Sequence, residues 1–260
     1  MKHILFIFFI LTFISCAEVK QPIEKVINDQ TGPFRDLIEF VSKDGLKISA
    51  DIYKIDNTSP IIILCHQARY NKSEYMEIAP KLNAMGFNCI AINQRSGGDL
   101  NGFKNDTYER AKEKNLSTDY LDAEQDITAA IEFIKENKSS NQKIILWGSS
   151  YSSTLAMYFI ANNSDIDAVV AFSPGNYFSE QKGSLIPLLK DVVKPVFVTS
   201  SKSEAPSIKE LLVEMRLNNN QIHFIPASKG YHGSKALWKW QKGGKEYWGA
   251  ITSFLEQFKK

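Results

Sequence analysis

The stretch Ile61-Ile62-Ile63-Leu64-Cys65 has no polar residue, and it is too short for a helix of ordinary length. A strand of this kind has no face to offer water, so it must be covered on both sides, as strands of parallel sheets are. Further strands are predicted at Cys89–Ile92, Lys143–Trp147, Ala168–Phe172, Val196–Thr199 and Ile222–Ile225. Upstream, Ile38–Val41 and Leu46–Tyr53 flank Asp44-Gly45, a hairpin turn signal; Leu46, Ile48, Ala50 and Ile52 alternate with polar residues. Helices are expected near 73–85, 119–137, 151–162, 206–218 and 245–258, and residues near 96–118 read as a polar loop. Strands alternating with helices predict an α/β fold with a mostly parallel sheet of about eight strands and helices on both faces. No repeat or break in composition divides residues 34–260, so they read as one domain.

The first residues have a different logic. Lys2 precedes a run from Ile4 to Ile14 in which Thr12 alone is polar. A bilayer span needs about 20 apolar residues, so residues 1–15 fit a signal peptide better than a membrane helix. The run closes at Phe13-Ile14-Ser15-Cys16 and turns polar at once. This resembles the lipobox of bacterial lipoproteins, with Phe13 where Leu is usual; the resemblance implies export to the cell envelope and lipidation of Cys16. An ordinary secretory signal, giving a periplasmic or secreted chain, is the alternative. Residues 16–33 then read as the lipidated Cys and a polar tether. With 31 basic and 29 acidic residues the charge is too balanced to point to nucleic acid. Three cysteines make no disulfide framework, Cys65 and Cys89 read as small core residues, and no metal-ligand spacing or cofactor motif is present.

The strand ending at Trp147 runs into Gly148-Ser149-Ser150-Tyr151-Ser152 and then a helix. A serine on such a strand-to-helix turn projects above the sheet edge, and the residues two before and two after it must be small. Ser150 is therefore the candidate nucleophile; the alternative is a serine-rich turn that caps a helix. A hydroxyl needs a base, and the base an orienting acid. Of the four histidines, His3 lies in the signal, His223 inside a strand, and His66 ahead of the nucleophile, where it reads as a structural loop residue. His232 follows the last strand and is the candidate base. Glu204 follows the strand Val196–Thr199 and is the candidate acid, whereas Asp165, Asp167 and Asp191 precede their strands. Glu210 and Glu214 read as the solvated face of the next helix. Backbone N–H groups of Tyr151 and of Ala68, with Gln67 as its neighbour, are the candidate oxyanion donors. Arg95, in Gln94-Arg95-Ser96-Gly97-Gly98, reads as a structural ion-pair partner.

The elbow, the His66-Gln67-Ala68 turn, Gln94–Gly98 and Gly230-Tyr231-His232-Gly233 together resemble α/β-hydrolases, particularly the dienelactone-hydrolase-like branch, over residues 38–258. The resemblance implies Ser150 as nucleophile, Glu204 as acid and His232 as base. The chain departs from dienelactone hydrolases in carrying Ser150 where they have Cys, and from the superfamily's commoner pattern in Glu204 for Asp and Ser152 for Gly. The expected activity is hydrolysis of an ester-type bond in a small or accessible substrate through an acyl-enzyme. The span Pro174–Val193 is too short for a large lid. A non-catalytic ligand-binding or envelope protein on the same scaffold remains the alternative.

Overall fold

A computed structural model describes residues 35–215 and 217–259. The expected signal, Cys16, the tether and the first residue of the expected domain lie outside these residues. The chain opens with the hairpin β1 (Arg35–Val41) and β2 (Lys47–Tyr53), paired antiparallel with Phe40 opposite Ile48. There follow β3 (Ile61–Cys65), α1 (Ile78–Ala84), β4 (Asn88–Ile92), α2 (Asp106–Glu113), α3 (Ala123–Asn137), β5 (Ile144–Ser149) and α4 (Tyr151–Asn162). The chain continues through β6 (Ala168–Phe172), α5 (Ser179–Lys182), α6 (Ile186–Leu189), β7 (Val196–Thr199), α7 (Ala205–Leu211), β8 (Gln221–Phe224) and α8 (Gly244–Leu255). The eight strands form one sheet in the order β1-β2-β4-β3-β5-β6-β7-β8, parallel from β4 to β8.

Alternation along the central strands feeds two cores. Ile61, Ile63 and Cys65 join one cluster with side chains of α3 and α4, while Ile62 and Leu64 join the other with those of α1 and α8. Every residue of β3, β4, β5 and β6 is buried, which is why β3 and β6 read as continuous apolar runs. Cys65 pairs in register with Gly148, so the loops leaving β3 and β5 emerge side by side at the C-terminal edge. That edge is where a doubly wound sheet assembles a site.

Three expectations are corrected. The helix predicted over 73–85 is a 3-10 turn, Lys72–Tyr75, followed separately by α1. Pro80 has no N–H to offer the carbonyl of Met76, and its ring crowds that carbonyl, so one continuous helix is excluded. The polar loop near 96–118 contains α2, capped by Asn105, whose side chain accepts the N–H of Tyr108. Only Thr107 and Ala111 of α2 are buried, too few to leave an apolar period in the sequence. The helix expected over 206–218 ends at Leu211, where the N–H of Leu212 tightens onto the carbonyls of Ile208 and Glu210; Glu214 lies beyond it. Between β6 and β7 stand the one-turn helices α5 and α6. Among the described residues no helix is long and apolar enough to cross a membrane.

Candidate active site

The turn between β5 and α4 is under steric pressure. Ser150 has φ 59° and ψ −125°, a conformation that only a constrained turn imposes on a non-glycine residue. A Cβ at Gly148 would lie 2.3 Å from the Cα of Ser153, so strand and helix can meet only over glycine. Ser149, Ser152 and Ser153 are fully buried and Ser150 is not, so the turn presents one hydroxyl of the four. Ser152 is more than a tolerated replacement for glycine. Its Oγ accepts the N–H of Ser149 at 2.8 Å and donates to the carbonyl of Cys65 at 2.8 Å, joining the elbow to the end of β3.

His232 Nε2 lies 2.7 Å from Ser150 Oγ, and His232 Nδ1 is hydrogen-bonded to Glu204 Oε1. The other oxygen of Glu204 accepts from Ser173 Oγ (3.0 Å), Ser201 N–H (3.0 Å) and Ser201 Oγ (2.7 Å). Burial pushes this carboxyl up, but the hydrogen bonds from His232 and Ser201 outweigh it and hold the group at about 2. Ser173 Oγ also accepts the N–H of Gly233, tying Glu204 to the loop that carries His232. Glu204 stands immediately before α7, and His232 in the loop between β8 and a 3-10 turn at Ser234–Leu237.

Tyr151 is the first residue of α4, so its N–H has no partner within the helix. Ala68 lies in the turn after β3, closed by Tyr70 N–H to the Gln67 carbonyl at 3.1 Å. The N–H of Gln67 donates to Glu74 Oε2 at 2.8 Å and is thereby committed, whereas among the described residues that of Ala68 meets no protein acceptor. The two candidate donors thus flank Ser150 on adjacent strand ends. At the same edge the positive end of the α4 dipole favours a developing anion.

His66 is fully buried, with Nδ1 at 2.9 Å from the Gln67 carbonyl and Nε2 accepting the N–H of Gln94 at 2.9 Å. A carbonyl can only accept and an amide can only donate, so the ring is locked neutral with its proton on Nδ1; burial holds it down at about 4. Arg95 is buried between Asp126 and Asp44. Asp165 and Asp167 pair with Lys135 and Lys143. Cys65 and Cys89 are buried free thiols. Among the described residues no group of His, Cys, Asp and Glu is placed to hold a metal ion.

Some site neighbours were not visible in the sequence. Tyr177, half-exposed after β6, donates its phenol hydroxyl to the carbonyl of Ser173 at 3.4 Å; burial and the charge of Glu204 push it up, and Ser150 draws it back. Glu74 is fully buried behind the elbow and accepts from Ser149 Oγ at 2.8 Å; burial pushes its carboxyl up to about 7. In sequence Glu74 reads as an ordinary polar residue of a predicted helix, and nothing local marks it.

Residues 56–226 match the family described as serine aminopeptidase, S33. No curated protein sequence matches the chain. Among solved structures, an esterase of Pyrococcus furiosus is similar at 18% identity over 90% of this chain and 98% of its own, with a TM-score of 0.69. A putative dienelactone hydrolase of Klebsiella pneumoniae is similar at 13% identity over 85% of this chain and 99% of its own, with a TM-score of 0.61. A dienelactone hydrolase of Anabaena variabilis is similar at 12% identity over 87% and 98%, with a TM-score of 0.62. Likeness at such identities is likeness of fold, and the fold is that of the α/β-hydrolases.

Proposed function

The chain belongs to the serine aminopeptidase (S33) family of hydrolases, and on that premise we propose that it cleaves an ester bond of a small or accessible substrate through an acyl-enzyme on Ser150. The observation that carries this reading is the unbroken line of hydrogen bonds from Ser150 Oγ through His232 to Glu204. In this mechanism Ser150 Oγ attacks the ester carbonyl while His232 Nε2 takes its proton. The carbonyl oxygen becomes an anion facing the N–H groups of Tyr151 and Ala68. Collapse expels the alcohol, which leaves with the proton from His232. Water, deprotonated by the same nitrogen, then attacks the acyl carbon, releases the acid and returns the proton to Ser150. Glu204 holds the Nδ1–H tautomer and stabilises the imidazolium. Only two one-turn helices intervene between β6 and β7 above this edge, which favours an open cleft and a compact ester over a long-chain lipid.

The test is labelling with a fluorophosphonate probe together with hydrolysis of short p-nitrophenyl esters, wild type beside Ser150→Ala. Labelling and turnover that vanish in the variant are expected. A folded wild-type protein that neither labels nor hydrolyses would transfer the reading to ligand binding on the same scaffold.

We also propose export and lipid anchoring through Cys16, supported by the apolar run and Ser15-Cys16 at its end. Metabolic labelling with a fatty acid that persists in Cys16→Ser would overturn this, as would a mature protein still beginning at Met1.

A further inference from the structure

The proposed reaction makes no use of Glu74, yet three loops of the site meet on its carboxylate. Glu74 lies in the 3-10 turn after β3 and has no exposed surface. Its Oε2 accepts the N–H of Gln67 at 2.8 Å; its Oε1 accepts the hydroxyl of Ser149 at 2.8 Å and, more distantly, the Gln67 side-chain amide at 3.4 Å. Ser149 Oγ in turn accepts the N–H of Ser234, two residues beyond His232, at 2.8 Å. Gly233 makes this approach possible: its φ is +73°, and a Cβ there would stand 2.7 Å from Ser149 Oγ. The elbow, the turn bearing Ala68 and the loop bearing His232 are therefore joined by bonds that Glu74 accepts directly or through Ser149.

The geometry also decides where the Ala68 N–H points. The Gln67 carbonyl receives the N–H of Tyr70 at 3.1 Å and the Nδ1–H of His66 at 2.9 Å. The peptide unit is planar and trans, so the N–H of Ala68 must point away from those two donors. Glu74 pins the preceding peptide through its N–H, and Gln67 is held on both sides. Burying a carboxylate is unfavourable unless donors satisfy it, and a residue needed only to fill space would not require one.

Resting on the serine-hydrolase reading, we propose that Glu74 is a positioning residue that sets the Ala68 N–H and the His232 loop relative to Ser150 by holding Gln67 and Ser149 on one buried carboxylate. It touches no reacting atom; it acts through the groups it holds.

Three variants test this: Glu74→Ala, Glu74→Gln and Ser149→Ala. Each is assayed for the rate of Ser150 phosphonylation by a fluorophosphonate, for kcat and KM on a short p-nitrophenyl ester, and for melting temperature. Losing one oxyanion donor lowers kcat by about 100-fold or more, which sets the scale for a donor aimed wrongly. Glu74→Ala is expected to slow phosphonylation and kcat by about 100-fold with KM within about threefold. Glu74→Gln keeps an acceptor for Gln67 N–H and an amide for Ser149 Oγ, and is expected to recover most of that loss. If Glu74→Ala does not fold, Ser149→Ala, which removes the bridge alone, is expected to lose about tenfold in both rates. Rates within twofold of wild type for Ser149→Ala and for whichever Glu74 variants fold would overturn the inference, whatever the melting temperatures. So would a loss confined to KM. A wild type that labels at Ser150 but leaves esters intact would sink the ester reading alone, because phosphonylation still reports the positioning. A wild type that does not label would remove both.

Discussion

His232 Nε2 lies 2.7 Å from Ser150 Oγ across 82 residues of sequence, and its Nδ1 faces Glu204 rather than solvent. An imidazole in that position can accept the serine proton only with its own proton on Nδ1, the side that Glu204 holds. Glu204→Gln replaces one acceptor oxygen by a donor and favours the opposite tautomer. We expect kcat to fall about 1,000-fold or more while KM stays within a few-fold, measured on a short p-nitrophenyl ester. The same carboxyl, held at about 2 against an ordinary 4.5, contributes stability that is present above pH 4.5 and lost as pH falls toward 2. The variant should therefore lose less stability than wild type over that acid range.

Ser152→Gly installs the residue commoner at this point of the elbow, and we expect it to weaken this protein. The Ser152 hydroxyl receives the N–H of Ser149 and donates to the Cys65 carbonyl, each at 2.8 Å in a buried setting. Leaving a buried N–H unpaired costs about 1–3 kcal/mol. A shift of that size in denaturant midpoint, with slower labelling of Ser150, is the expected result; an unchanged midpoint would mean that water replaces the hydroxyl without loss.

What was legible in the sequence follows from how local each signal is. β3 and β6 are buried on both faces, so each leaves an unbroken apolar run, and β3, β6 and β7 end where the sequence predicts. Ser150, Glu204 and His232 could be proposed because each sits in a loop just past a predicted strand, where topology alone brings them to one edge. α2 escaped because it buries two residues, and the break before α1 depends on a single proline. Glu74 meets Ser149 across 75 positions, and Ser173 meets Glu204 across 31, with no periodicity or motif to connect them. Such contacts exist only after the sheet has formed.

Arg95 tests the structural role expected of it. It is 1% exposed and donates through Nε and Nη2 to Asp126 Oδ1 at 3.0 and 2.8 Å, and through Nη1 to Asp44 at 2.6 Å. Removing one partner of a buried pair leaves an uncompensated charge and costs about 3–5 kcal/mol. Arg95→Met should lower stability by that amount, and Arg95→Met combined with Asp126→Asn, which removes the charge but keeps an oxygen for the backbone N–H of Arg95, should regain much of it. A double variant no more stable than the single one would show that the arginine matters for packing rather than for pairing with Asp126.

Glu74 also makes a stability prediction that does not depend on catalysis. Burial raises its carboxyl to about 7 from an ordinary 4.5, and the charged or titratable groups facing it are Lys235, His232, Tyr70 and Tyr75. A carboxyl raised on folding contributes stability that is fully present below pH 4.5 and is lost as pH rises through 7. Glu74→Gln has no such proton to lose. Its stability relative to wild type should therefore improve as pH rises from 4.5 to 7, by on the order of 3 kcal/mol at most, and then level off. Urea unfolding of both proteins at several pH values measures the difference directly. A difference that stays flat with pH would mean that the carboxyl keeps its ordinary value when buried, its three donors then balancing its loss of water.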